Sequence, residues 1–134
     1  MFFGIDFITG RRLNVKLSEA IEQVKMLKPN AYTDDMLTML LNQFEAMVQS
    51  EVLGRKEIFS YDWKSDGDQT LLAPSPYDIC YVSYVSAMVD FNNQEYAGYA
   101  NNMELFNSQY AEYKKFAQRE KEEKGPETII KNFF

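Results

Sequence analysis

Residues 75–91 read SPYDICYVSYVSAMVDF, and no other stretch limits the fold so tightly. Ser75, Pro76 and Asp78 suit the N-cap, N1 and N3 positions of a helix. Serine accepts from orphan N–H groups, proline has none to lose, and aspartate meets the positive helix end. From Tyr77 to Phe91 only Asp78, Ser83, Ser86 and Asp90 are polar. Ser83, Ser86 and Asp90 form one narrow stripe at helical spacing. A helix apolar on its other sides must be covered, by this chain or by other copies of it. Cys80 lies within the run and reads as a small buried hydrophobe.

The neighbouring segments supply further helices. Ser18 caps a first one over 18–28, in which Ala20, Ile21, Val24 and Leu27 share a face before Pro29 stops it. Thr33 caps a second over 33–53, with a broad stripe from Leu37 through Leu40, Leu41, Phe44, Met47 and Val48. The third covers 75–91. The fourth covers 92–122, with Asn92 and Glu95 spaced as in a capping box. Its seam (Tyr96, Tyr99, Met103, Phe106, Tyr110, Tyr113, Ala117) packs on the third helix, or else forms an intermolecular coiled coil. The short break predicts an antiparallel hairpin.

The fold class is therefore all-α: a four-helix bundle-like domain over 18–124, ending in an antiparallel hairpin of two long helices. Residues 1–17 read as an extended N-terminal arm or short strand, and 125–134 as a C-terminal tail. Residues 55–74 make a long connection, expected as a projecting loop or short β-hairpin. Its Phe59, Tyr61 and Trp63 can anchor it to this chain or to a partner. In the tail, Ile129, Ile130, Phe133 and Phe134 form an apolar hook, again suited to a partner.

The inventory for chemistry is short. With 134 residues and no histidine, the chain lacks the usual general base and the commonest metal ligand. Asp62, Asp66 and Asp68 lack the spacing of a Ca²⁺ loop and read as a solvated turn. No phosphate-binding glycine loop, catalytic residue, metal site or cofactor is expected, and the chain reads as no enzyme. A net charge of −6 argues against gripping nucleic acid through its phosphates. No run of about 18 apolar residues predicts a membrane span. The N-terminus is a poor signal peptide, and the lone cysteine suits a reducing cytoplasm. Nine tyrosines, ten phenylalanines and seven methionines instead point to packing and interfaces.

Three blocks carry a resemblance: LKPNAYTDD at 27–35, LLAPSPYD at 71–78 and AMVDFNNQEYAGYANNMELFNSQY at 87–110. Together they resemble the small head–tail connector proteins of tailed bacteriophages and prophages, over roughly residues 18–117. The resemblance implies a structural neck adaptor that forms a ring below the portal, prolongs the DNA channel and docks the next neck or tail protein. It implies a ring of about twelve copies by closed head-to-tail contacts, with no catalytic residues. The implied location is the virion neck, reached from the host cytoplasm during assembly. DNA would pass without sequence-specific binding, along an acidic wall drawn from Asp34, Asp35, Glu45, Glu51, Asp66 and Asp68. The segments before residue 18 and after 117 lie outside the resemblance. A helical regulator or assembly chaperone absent from the virion is the alternative.

Overall fold

The computed structural model describes residues 14–123. In chain order these form strand β1 (Asn14–Lys16), helix α1 (Leu17–Leu27), helix α2 (Asp34–Met47) with a π-helical continuation (Val48–Val52), a one-turn helix α3 (Trp63–Asp66), strand β2 (Thr70–Pro74), helix α4 (Ile79–Asn92) and helix α5 (Tyr96–Glu123). The fold is all-α apart from one antiparallel strand pair, β1 with β2.

Helix α4 is the axis of the core. Cys80, Tyr81, Val82, Val85, Ala87 and Val89 are all buried, and so are Ser83, Ser86 and Asp90. Its cover comes from α1, α2 and α5 of the same chain. The apolar excess of this helix therefore needs no second copy; only its ends, Ile79 and Phe91, carry exposed large apolar side chains. Burial pushes the Cys80 thiol up to about 12, with the nearby Asp78 charge adding to it, so it sits as an unreactive hydrophobe.

The predicted hairpin forms. Phe91 packs on Tyr99, Tyr84 on Phe106 and Tyr77 on Tyr113, a descending order that makes α4 and α5 antiparallel. Phe106, Tyr110 and Tyr113 bury the seam against α4 and against Phe44 of α2. Phe44 meets Tyr81, Phe106 and Tyr110 edge to face at 5.1–5.4 Å, the geometry that ring quadrupoles favour. The seam is intramolecular packing over these residues.

Several boundaries differ from expectation. α1 starts at Leu17, and the Lys16 N–H donates to Glu19 Oε1 at 3.0 Å, so Ser18 is inside the helix rather than its cap. Thr33 does cap α2, accepting from the Met36 N–H. α2 widens at Val48, where Ser50 Oγ donates back to the Ala46 carbonyl and Leu53 N–H to Val48 O, and the helix ends at Gly54 with φ +66°. Ser75 is not the N-cap of α4, which is Asp78: β2 runs to Pro74, the Ser75–Pro76 peptide is cis, and a turn closed by Tyr77 N–H on Pro74 O precedes α4, which starts at Ile79. Asn92 closes α4 instead of opening α5; the reversal is Asn93–Glu95, with Gln94 at φ +61°.

Residues 55–74 do not project. Two amides on α2 hold them. Asn42 donates to Tyr61 O and accepts from Tyr61 N–H; Gln49 does the same for Phe59, each bond at 2.9 Å. The chain thus runs antiparallel to α2 and lends it backbone groups as a strand would. α3 follows, capped by Asp62, which accepts from the Ser65 N–H, while Asp66 accepts from the Asp62 N–H at 2.7 Å. β2 then pairs with β1, so the expected hairpin is replaced by a pairing with the N-terminal arm.

A buried carboxylate ties these parts together. Glu45 on α2 is fully buried and accepts from Tyr81 Oη at 2.5 Å, Tyr61 Oη at 2.7 Å and Leu72 N–H at 3.0 Å. Tyr81 Oη in turn accepts from Ala73 N–H at 2.9 Å. α2, α4, the connection and β2 converge on one side chain. Burial drives the Glu45 carboxyl above the usual carboxylate range, and the donors from Tyr81, Tyr61 and Leu72 pull it partly back.

A group raised in the folded state stabilises fully below its unfolded pKa, and that contribution is lost as pH rises through the folded value. The difference in unfolding free energy between the wild type and Glu45→Gln should therefore shrink from pH 4 toward pH 7, measured by urea titration. A difference that grows with pH would mean the donors outweigh burial.

Candidate interaction surfaces

Among the described residues no group of three or more His, Cys, Asp or Glu side chains is placed to hold a metal ion, and no helix is long and apolar enough to cross a membrane.

The six acidic candidates do not form one wall. Glu45 is in the core and faces no channel, because two tyrosine hydroxyls and a backbone amide claim its oxygens. Asp34, at the first turn of α2, pairs with Lys25 of α1 at 2.5 Å. Asp66 is half-buried and spent on capping α3. Asp35, Glu51 and Asp68 are exposed. Asp35 and Glu51 sit at opposite ends of the α2 stretch, about 24 Å apart at 1.5 Å per residue.

The aromatic candidates divide as well. Tyr61 is buried on Glu45, and Trp63 is half-buried against the core. Both anchor the connection to its own chain. Phe59 is half-exposed, packs edge to face on Tyr61 and lies under the Arg55 guanidinium. Ile129, Ile130, Phe133 and Phe134 lie outside the described residues.

Two surfaces escaped the sequence reading. The first is the crown of the hairpin. Lys28, at the end of α1, forms an ion pair with buried Asp90 of α4, which also accepts from Asn102 Nδ2 at 2.8 Å on α5. Tyr32 reaches Asn93 in the reversal. These contacts bring the α1–α2 connection to the crown. The elements that meet there carry exposed large apolar side chains: Met26 (72 %) and Leu27 (65 %) near the end of α1, Met36 on the first turn of α2, and Phe91 (49 %) and Tyr96 (58 %) of the hairpin. Phe91 and Tyr96 pack on each other at 6.1 Å while remaining open to solvent. Phe91 and Tyr96, exposed side by side, are the apolar pair of the crown. The second is an apolar groove at the opposite end of the hairpin, lined by Val52, Leu53, Pro74, Tyr113, Phe116 and Ala117. About 30 Å of α5 separates Phe116 from Tyr96 at 1.5 Å per residue.

Neither surface shows in periodicity. Met26, Leu27 and Phe91 occupy helix ends, where apolar residues pass as core until the neighbouring elements are known.

The chain matches no family model, no curated protein and no solved structure.

The crown depends on one glycine. A Cβ on Gly98 would stand 2.7 Å from Asp90 Oδ2, and the Asp90 carboxylate cannot swing away without breaking its contacts to Lys28 and Asn102. Within a helix, glycine to alanine ordinarily stabilises by up to about 1 kcal/mol. Gly98→Ala should do the reverse and lower the thermal midpoint; an equal or higher midpoint would show that Asp90 is not held.

Proposed function

We propose that the protein is a structural head–tail adaptor of a tailed phage virion, a ring subunit below the portal that extends the DNA channel and docks the next neck or tail protein. The observation that carries this is the pair of unlike apolar features at the two ends of the α4–α5 hairpin: exposed Phe91 and Tyr96 at the crown, and the Val52–Phe116 groove at the other end. A subunit of a closed head-to-tail ring, or of a stack of rings, needs surfaces that are not copies of one another. The three sequence blocks that resemble head–tail connectors fall on the same framework: 27–35 joins α1 to α2, 71–78 carries β2 and the turn into α4, and 87–110 builds the crown.

The charge supports the same role. A net charge of −6 repels a passing phosphate backbone. Asp35, Glu51 and Asp68 are the exposed acidic candidates available to a channel wall. The portal protein on one side and a tail-completion protein on the other are the proposed partners, and about twelve copies the proposed ring, closed by rotation.

A helical regulator or assembly chaperone would use the crown equally well, since its exposed aromatic pair suits other partners too. Mass spectrometry and cryo-microscopy of purified particles separate the two. The adaptor predicts this chain at ring stoichiometry beneath the portal. Its absence from complete particles, with free protein bound to a neck component in the lysate, would establish the alternative.

A further inference from the structure

The connection after α2 is paired along one edge only. Asn42 and Gln49 each hold a main-chain N–H and C=O, those of Tyr61 and of Phe59. Residues 58–62 run without turn or bend up to Asp62, which is extended at φ −105° and ψ 127°. In an extended chain, residues two apart turn their backbone groups to one side, and the residue between them turns its own to the other. The N–H and C=O of Ser60, and of Ile58 before it, therefore face away from α2. Neither residue has a hydrogen-bond partner among the described residues. Both are exposed, and no proline interrupts 55–73.

Such an edge is a template for another strand. Its side chains are apolar and open: Ile58 and Phe59 are each 42 % exposed. The segment is complementary to itself in an antiparallel register centred on Phe59. Ile58 of one copy then lies opposite Ser60 of the other and exchanges both backbone bonds with it, and the symmetric pair does the same. Phe59 meets Phe59 at the intervening non-bonded position, where facing side chains stand closest. Counting outward, Glu57 falls opposite Tyr61, and exposed Lys56 beside exposed Asp62. Opposite charges thus meet at both ends of the pair, and no like charges face each other. A register centred on Ser60 would instead set Lys56 against Lys64, and one centred on Ile58 would leave Lys56 against Ser60.

We propose that residues 57–61 form a two-fold antiparallel β-pair with the same residues of a second copy, so that the free protein is a dimer joined through its connections. Asn42 and Gln49 hold each strand straight from behind. A two-fold contact is distinct from the head-to-tail contacts of a ring. The inference therefore does not rest on the neck assignment, and either can fail without the other.

The test is the oligomeric state of the full chain, read by sedimentation equilibrium across the micromolar range. The expected result is a concentration-dependent dimer. Ser60→Pro removes one outward N–H and spares the bonds to Asn42 and Gln49. It should raise the dissociation constant at least tenfold at an unchanged helical circular-dichroism signal. Disulfide trapping under mild oxidant reads the register without relying on that variant. Phe59→Cys sets a thiol opposite its copy with Cα atoms about 4.5 Å apart, and should give a disulfide-linked dimer. Glu57→Cys places its two copies about 13 Å apart at 3.3 Å per residue, beyond disulfide reach, and should not. Native Cys80 is buried and does not compete. A monomer throughout would leave the edge to a different protein. A dimer indifferent to Ser60→Pro would place the contact elsewhere, and equal trapping at positions 57 and 59 would mean random collision. Each of these overturns the proposal.

Discussion

The fold depends on one buried carboxylate. Glu45 sits on the core face of α2, a position that amphipathic patterning reserves for apolar residues. An acceptor there is tolerable only when fully supplied with donors. Tyr81 from α4, Tyr61 from the connection and Leu72 from β2 supply them. Each donor comes from a different segment, so satisfying the carboxylate fixes how those segments meet. A hydrocarbon at position 45 could fill the space but could not choose between registers of β2. The network is therefore a device for specificity, and burial of the charge opposes stability.

Asp90 repeats the arrangement at the crown on a smaller scale. It is buried on the otherwise apolar α4 and is satisfied by Lys28 from α1 and Asn102 from α5. Gly98 leaves room for it. With Glu45 near one end of α4 and Asp90 near the other, two polar anchors clamp an apolar helix whose many sides would otherwise admit several packings. Both ends of the hairpin are then held in place, and the features they carry, the crown and the groove, keep a fixed separation.

Much of this was legible in the sequence. The four longer helices, the Thr33 cap, the α4–α5 hairpin and the burial of most of 80–90 all follow from periodicity and capping chemistry. The seam from Tyr99 to Tyr113 was legible for the same reason. What was not legible was long-range polar pairing. Asn42 and Gln49 look like ordinary helix-surface amides, yet they hold Tyr61 and Phe59 in an extended path. Glu45 looks like a solvated acid, indistinguishable by charge from Asp34, Asp35 and Glu51. Its donors lie 16, 27 and 36 residues away in sequence. Ser75-Pro76 has the local chemistry of a helix start, but pairing of 70–74 with β1 carries the chain past it as a turn. For the interaction surfaces, Phe59, Tyr61 and Trp63 read alike as aromatic residues in a long loop, and two of the three are consumed by the fold. Leu27 falls on the apolar face of α1 by spacing yet is exposed, and Met26 and Phe91 likewise sit at helix ends, where an apolar residue reads as core.

The clamp also bears on function. The proposed adaptor role requires two docking surfaces held rigidly apart, and residues 55–74 are fastened to α2 and β1. The most direct test of the Glu45 network is native-state hydrogen exchange at the Leu72 and Ala73 amides, which donate to Glu45 and to Tyr81. If the network fixes the fold, both amides exchange only through global unfolding, as slowly as the central amides of α4. Exchange at those two amides through a low-energy local opening, with α4 still protected, would contradict it.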